Sequence, residues 1–206
     1  MVGYSLYTSL IVNFSCELLK NLAKLHFRPA WKRLKNYVMN LEWLKVGIAP
    51  LKELIDFLYR KSQTNDVHKK QLIMELRNNL NVFKNGLINE VAYDTMIDLL
   101  GNEAIQQAIK VNFGFSTLRN GQIETFHVED DRNRRYTGWT TEKLVEKIDE
   151  KIVELKNIKK MNNNTVVACK NNVALMMSNL YFRMKLLAEF IRGDGELESK
   201  VEEDCD

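Results

Sequence analysis

The chain has 206 residues, an apolar fraction of 45% and a charged fraction of 28%, which are ordinary values for one large globular domain. With only 2 prolines and 9 glycines, the composition excludes collagen-like and proline-rich disordered classes and favours long helices. The formal net charge of +3 conceals an uneven distribution along the sequence.

Basic and acidic residues are concentrated in different segments. Residues 194–206 hold seven acids and one lysine, whereas six cations and no acid lie between Lys20 and Lys35. A basic body with an acidic tail indicates a polyanionic partner or a tail that shields the body from one; the simpler alternative is a solvated tail without a role. We predict a single helical domain over residues 1–193 and a disordered acidic tail over residues 194–206.

The cysteines and the N-terminal segment give no sign of secretion. Cys16, Cys169 and Cys205 lie far apart and have neither the spacing of a disulfide framework nor that of a zinc site. An odd number of separated cysteines indicates free thiols in a reducing compartment. Residues 1–16 lack a basic start, and polar residues interrupt the apolar run before it reaches the length of a spanning helix. We therefore expect a cytoplasmic protein.

Helical apolar spacing runs through the first half of the sequence. Over residues 4–26, leucines and a phenylalanine recur every three or four residues, which predicts an amphipathic helix that ends before Pro29. Proline, glycine or polar turns then separate further predicted helices over residues 30–45, 50–61, 66–90 and 103–110. Beyond residue 90 the apolar face continues as far as Gly101, which we interpret as a stop signal.

Around residues 112–128, the spacing of the apolar residues changes from helical to alternating. Val111, Phe113 and Phe115 alternate with polar or small residues, and a second alternating run begins at Ile123. Asn-Gly at 120–121 lies between the runs and is the preferred type I′ turn. The sequence therefore predicts a β-hairpin inserted between helices.

Two further helices are predicted in the second half. Thr140 or Thr141 caps the first, and Thr165 caps the last, which Gly193 ends. Heptad-like apolar seams run over residues 72–87 and 173–191. The predicted fold class is mainly α, a multi-helix bundle with an inserted β-hairpin around residues 112–128.

A basic and aromatic segment precedes the helix that starts near Thr141. Guanidinium groups match phosphate oxygens, and aromatic rings or guanidinium planes stack on bases. The alternative is that acids at residues 129–131 neutralise the arginines while the tryptophan packs on the next helix. The candidate phosphate-binding or nucleic-acid-binding side chains here are Arg132, Arg134, Arg135, Tyr136 and Trp139.

A second basic segment is the Lys20–Lys35 strip, which has aromatic residues between its cations. It could lie on a nucleic-acid backbone or on an anionic membrane surface, or it is the solvated face of two amphipathic helices. Its candidate binding residues are Lys32, Arg33 and Lys35.

No catalytic constellation is visible in the sequence. The three histidines, His26, His68 and His127, are isolated from one another, and the sequence lacks a nucleophile elbow, a Walker loop and a dinucleotide-binding motif. Acids repeat every four residues from Glu142 to Glu154, but neighbouring lysines make them an exposed ridge rather than a metal site. We predict no catalytic residues, metal or cofactor, and see no evident small-molecule ligand.

Small helical ribonucleases can pair an arginine with a histidine a few residues later in the sequence. Arg119–His127 and Arg60–His68 each leave seven residues between the pair and do not have that closer spacing. A ribonuclease therefore stays an alternative rather than the main expectation.

Three functional hypotheses remain. The first is a non-enzymatic interaction or regulatory protein that associates with itself or with a protein partner through its helical seams. The second is a nucleic-acid-binding module, or small helical ribonuclease, that uses the Arg132–Trp139 segment. The third is a peripheral membrane protein that inserts the apolar face of helix 4–26.

Overall fold

The structure, a computed structural model, describes residues 48–193. The predicted helices over 4–26 and 30–45, the Lys20–Lys35 strip with Lys32, Arg33 and Lys35, and the predicted acidic tail lie outside the described residues. The described part contains six α-helices: α1 (Ile48–Lys61), α2 (Val67–Ile88), α3 (Tyr93–Leu99), α4 (Glu103–Lys110), α5 (Thr141–Met161) and α6 (Val173–Arg192). Three short 3-10 helices separate α4 from α5: Phe115–Thr117, Thr125–His127 and Asp131–Tyr136. The mainly α class is therefore confirmed.

Helix α6 is the central element of this bundle. It packs against α1, α2 and α5, and the last two 3-10 helices lie along it. Leu180 and Met184 on α6 are fully buried, and the first turns of the helix carry no charge. An apolar helix surrounded by others buries most of its surface, and this position makes α6 the support for any side chain that the 3-10 segment presents.

The heptad-like seams form the core of the bundle. Every apolar seam residue of α2 from Leu72 to Leu87, and of α6 from Val173 to Ile191, is buried. The two helices also contact each other. Because these seams already bury their apolar surface within one chain, a partner of the folded domain has to use another surface.

The predicted β-hairpin around residues 112–128 is wrong. Between residues 48 and 193 the structure has no strand, and the only pairing is an isolated antiparallel bridge between Gln122 and Thr140. A type I′ turn needs positive φ at both central residues, but only Gly121 of the Asn120-Gly121 pair has it.

The alternating apolar residues find partners elsewhere. Phe113 donates its N–H to Ala108 O and so ends α4. Ile123 is fully buried and exchanges backbone hydrogen bonds with Gly138 and Trp139. The two alternating runs therefore do not pair with each other. Alternation alone does not determine which segment a run contacts.

The helix boundaries follow the caps. Thr140 caps α5 as predicted, and its hydroxyl accepts the Lys143 N–H at 3.4 Å. The predicted Thr165 cap of the last helix is wrong, because α6 starts at Val173 and the side chain of Asn172 accepts the Leu175 N–H at 3.0 Å. Thr165 instead donates to the Asp94 carboxylate at 2.9 Å.

Helices α3 and α4 are attached to the longer helices by buried polar contacts. Asn79 of α2 is 2% exposed, and its amide donates to Gly101 O at 2.7 Å and accepts from Gly101 N at 2.8 Å. Lys159 of α5 donates to Asp94 O at 3.0 Å and pairs with the Asp98 carboxylate at 2.5 Å. In the described part of the chain, no helix is long and apolar enough to cross a lipid bilayer.

Candidate anion-binding site

The basic segment predicted from the sequence forms the 3-10 helix Asp131–Tyr136 and lies against α6. Asp130 begins it, since its carboxylate accepts the Arg132 N–H at 2.9 Å. Asn133 is buried and donates its side-chain N–H to Phe182 O of α6 at 3.0 Å. The backbone that carries the arginines is therefore held at its start and at Asn133.

Arg132 lies across one exposed edge of α6. Its guanidinium carbon is 4.8 Å from the centre of the Phe182 ring, and it donates to Ser178 Oγ at 2.9 Å. The Asp130 carboxylate is 3.9 Å from its Nε. A guanidinium above an aromatic ring gains cation–π energy and is held flat.

Arg134 is largely compensated by a neighbour. Its guanidinium pairs with the Asp131 carboxylate at 2.8 Å, and both side chains are exposed. Exposed pairs of this kind contribute at most about 1 kcal/mol to stability, but the carboxylate still reduces the positive charge offered to a ligand.

Tyr136 is the centre of the site. It is 3% exposed, and the Trp139 ring meets it edge to face with 4.9 Å between centroids. The guanidinium carbon of Arg135 is 5.0 Å from the Tyr136 ring centre, and that of Arg183 is 5.7 Å away. Two cations thus share one aromatic ring.

Arg183 is not among the site residues predicted from the sequence. It is 6% exposed on α6, and its Nε donates a short hydrogen bond to the Tyr136 hydroxyl. No carboxylate lies within 4.0 Å of it among residues 48–193. Buried arginines are normally paired with an anion. The presence of Arg183 within an otherwise apolar helix was therefore a signal in the sequence for a binding site.

The acids at residues 129–131 do not compensate these two arginines. Asp130 and Asp131 lie beside Arg132 and Arg134, while Glu129 pairs with Lys185 at 2.8 Å. Within the described residues, Arg135 and Arg183 therefore have no carboxylate partner. An anion near the Tyr136 ring would supply the missing charge, and the guanidinium fork suits a phosphate.

A carboxylate–lysine cluster lies two to six residues beyond Arg183 on α6. Lys185 Nζ is 2.8 Å from Glu129 Oε2 and 2.8 Å from Glu189 Oε1. Burial raises the pKa of Glu189 to about 7, although Lys185 opposes this rise. The hydrogen bond from Lys185 holds the pKa of Glu129 below its usual value. This cluster anchors the segment before Asp130 to α6.

We expect Glu189→Gln to remove a pH dependence of stability. The folded state keeps the Glu189 proton up to about pH 7, whereas the unfolded chain releases it near the ordinary pKa of 4.5. Since the folded state then binds more protons, the contribution of Glu189 to the free energy of unfolding falls as pH rises through this window. Urea unfolding should show the wild-type value falling by about 2 kcal/mol, relative to Glu189→Gln, from about pH 5 to about pH 8.

The control for this experiment is Glu53→Gln, which changes an exposed carboxylate on α1. Its stability difference from the wild type should stay flat over the same range. A flat difference for Glu189→Gln as well would mean that this carboxylate is ionised throughout.

The Arg119–His127 pair comes together around Phe190 of α6. The Arg119 guanidinium carbon is 5.8 Å from the Phe190 ring centre, and the His127 ring is 5.0 Å from it. His127 Nδ1 accepts the Glu124 N–H at 2.8 Å, and its Nε2 is buried. Neither ring nitrogen is therefore presented to solvent for proton transfer.

Two acids of the ridge on α5, Glu150 and Glu154, are in ion pairs with lysines. Lys147 pairs with Glu150 at 2.6 Å, and Lys151 pairs with Glu150 at 3.2 Å and with Glu154. The residues that the structure describes include no group of three or more side chains placed to hold a metal ion.

Comparison with known proteins finds no match: no family model, no curated protein and no solved structure is similar to this chain.

Proposed function

We propose that this protein is a non-enzymatic, cytoplasmic binding protein whose ligand is single-stranded nucleic acid. The observation that carries the proposal is the pair Arg135 and Arg183, which share the Tyr136 ring and have no carboxylate partner between residues 48 and 193. A phosphate near that ring would receive charge-assisted hydrogen bonds from the exposed Arg135 guanidinium and would be attracted by the charge of the buried Arg183 beneath it.

The neighbouring residues supply surfaces for bases. Arg132 and Arg135 are exposed, and each lies over an aromatic ring that orients its guanidinium. Unpaired bases stack on guanidinium planes and on aromatic rings such as that of the half-buried Trp139. Stacking of this kind requires splayed bases, which favours a single strand over a duplex.

Binding is favoured over cleavage by the state of His127. A ribonuclease needs a histidine nitrogen within reach of its substrate, and both nitrogens of His127 are turned to the protein interior or engaged by Glu124.

The proposal is tested by fluorescence anisotropy of a labelled single-stranded oligouridine and oligothymidine over a range of salt concentrations. For the wild type, log Kd should depend linearly on log salt. Arg135→Gln should weaken binding about tenfold and lower the salt slope by about one phosphate contact. The matched control is Arg77→Gln, because Arg77 also lies over a tyrosine, Tyr59, at 5.5 Å but on α2.

Equal affinities for the wild type, Arg135→Gln and Arg77→Gln would remove the proposal. Cleavage of the RNA probe, lost on His127→Ala, would instead favour the ribonuclease alternative.

A further inference from the structure

A surface groove runs along α2, with α3 and α4 forming its other wall. It consists of two hollows of about 450 Å³ and about 250 Å³ that share Asn78 and Leu99. Because Asn78 and Leu99 line both hollows, the two hollows are adjacent on this side of the described domain. Leu99 is 61% exposed and gives the shared region an apolar surface.

The groove is rich in side-chain amides and has acidic groups at one end. The polar residues of the wider hollow include Gln71, Glu75, Glu103 and Gln107, and Asn81 and Asn85 lie beside mostly apolar residues in the narrower one. None of the described residues that line either hollow is a lysine or arginine. Nucleic acid, which the carboxylates would repel, is therefore a poor occupant.

The carboxylates of Glu75 and Glu103 converge beside Gly101. Glu75 accepts the Ala104 N–H at 2.8 Å and the Ile105 N–H at 3.1 Å, so its position is fixed. A Cβ atom at Gly101 would lie 3.1 Å from Glu103 Oε2 and 3.4 Å from Glu75 Oε2. A cationic side chain placed between the two carboxylates would relieve their repulsion and complement the charge of the groove.

The asparagines provide a row of donors and acceptors along α2. Asn78, Asn81 and Asn85 are three and four residues apart and so share one face of the helix. The rise along the helix axis is about 4.5 Å from Asn78 to Asn81 and about 6 Å from Asn81 to Asn85. The second step is close to the ~6.6 Å that separates alternate residues of an extended chain. Side-chain amides offer both a donor and an acceptor, as a peptide backbone does. A helical partner, whose backbone groups are already paired, would leave these amides unused.

We propose that this groove binds an extended segment of a partner protein. The amides of Asn81 and Asn85 pair with its backbone, and the carboxylates of Glu75 and Glu103 hold one of its lysine or arginine side chains. This inference goes beyond nucleic-acid binding and does not depend on it, because no groove residue belongs to the Tyr136 site.

The first test uses a phage-displayed library of random dodecapeptides selected on the full chain, followed by calorimetry with the synthetic peptides obtained. The selected peptides should share a lysine or arginine at one position, and replacing it with norleucine should weaken binding about tenfold or more. Glu103→Gln, which keeps an acceptor for the Asn102 N–H seen at 3.1 Å, should cause the same loss, and the two changes should not add.

The backbone contacts are tested with the double variant Asn81→Ala, Asn85→Ala. It should weaken all selected peptides, whatever their charge. The matched control for Glu103→Gln is Glu146→Gln, an equal change of charge at an exposed position of α5, which should leave affinity unchanged. Circular dichroism before and after each change shows that the helices are retained.

Selected peptides that bind equally well to all these variants, or a selection that yields no peptide binding to the wild type, would overturn the proposal. Peptides with a helical apolar stripe and no shared cation would also contradict it. Oligouridine binding by Glu103→Gln should equal that of the wild type. Failure of the peptide-groove proposal is therefore distinguishable from failure of the nucleic-acid proposal.

Discussion

Asn79→Asp should lower the free energy of unfolding by about 3 kcal/mol at neutral pH and recover much of that loss in acid. The reason is the bidentate contact in which the Asn79 side chain both donates to and accepts from the backbone of Gly101. Aspartate keeps the acceptor for the Gly101 N–H but places a carboxylate oxygen against the Gly101 carbonyl in a site that is 2% exposed. Burying a charge beside an acceptor is among the more destabilising single changes.

The pH dependence follows from the same geometry. Burial and the facing carbonyl raise the pKa of the new carboxyl group in the folded state. The folded state then binds a proton that the unfolded chain has released, so stability increases as pH falls through this window. A protonated carboxyl also donates a hydrogen bond and so replaces the lost amide donor.

Urea unfolding of three variants separates these effects. Asn79→Leu removes both hydrogen bonds and should be destabilised at every pH, by about 2–4 kcal/mol. Asn78→Asp, one residue away on the exposed side of α2, is the matched control and should change stability by less than about 1 kcal/mol. A loss for Asn79→Asp that does not diminish in acid would show that the Gly101 contact is not the cause.

Sequence patterns predicted α1, α2, α4, α5 and α6 because burial of an apolar stripe is a local property, whereas α3 was expected only as a continuation of the apolar face up to Gly101. The stripe of α2 ends at the Asn89 cap, and the stripe of α5 begins after Thr140. The start of α6 was predicted too early, since Thr165 and Asn172 are both able to cap and only Asn172 is hydrogen-bonded to the helix. The choice between these two possible caps depends on a distant residue, because Asp94 of α3 binds the Thr165 hydroxyl.

Contacts between residues distant along the chain also explain why the hairpin prediction is wrong and why the candidate site was predicted only in part. Residues 112–128 have the alternation of strands, but Ile123 pairs with the backbone beyond Tyr136 rather than with the preceding run. Arg132, Arg135 and Tyr136 were selected because charge and aromaticity are visible in the sequence. Arg183 was not, because it is 47 residues away from Tyr136 along the chain and meets it only through the packing of the 3-10 helix on α6.

Arg183→Met should raise the free energy of unfolding, or leave it unchanged, while weakening binding of single-stranded oligouridine about tenfold. Arg183 is 6% exposed and has one hydrogen bond, to the Tyr136 hydroxyl, among the described residues. Desolvating a charge without an acidic partner is unfavourable, and an apolar side chain of similar length fills the same space, so we expect a gain of about 1–3 kcal/mol. Opposite effects on stability and affinity would identify a cation retained for a ligand.

Tyr136→Phe provides the complementary measurement. In the wild-type background it removes the acceptor of a buried guanidinium and should lower the free energy of unfolding by about 2–3 kcal/mol. In the Arg183→Met background the Arg183 donor is absent, so Tyr136→Phe should change the free energy of unfolding by less than about 1 kcal/mol. If Arg183→Met destabilises the protein and leaves oligouridine affinity intact, Arg183 is a packing residue and the Tyr136 site loses its second cation. Arg135 alone at the ring would be an ordinary exposed arginine, and this surface would then carry no specific evidence of a binding site.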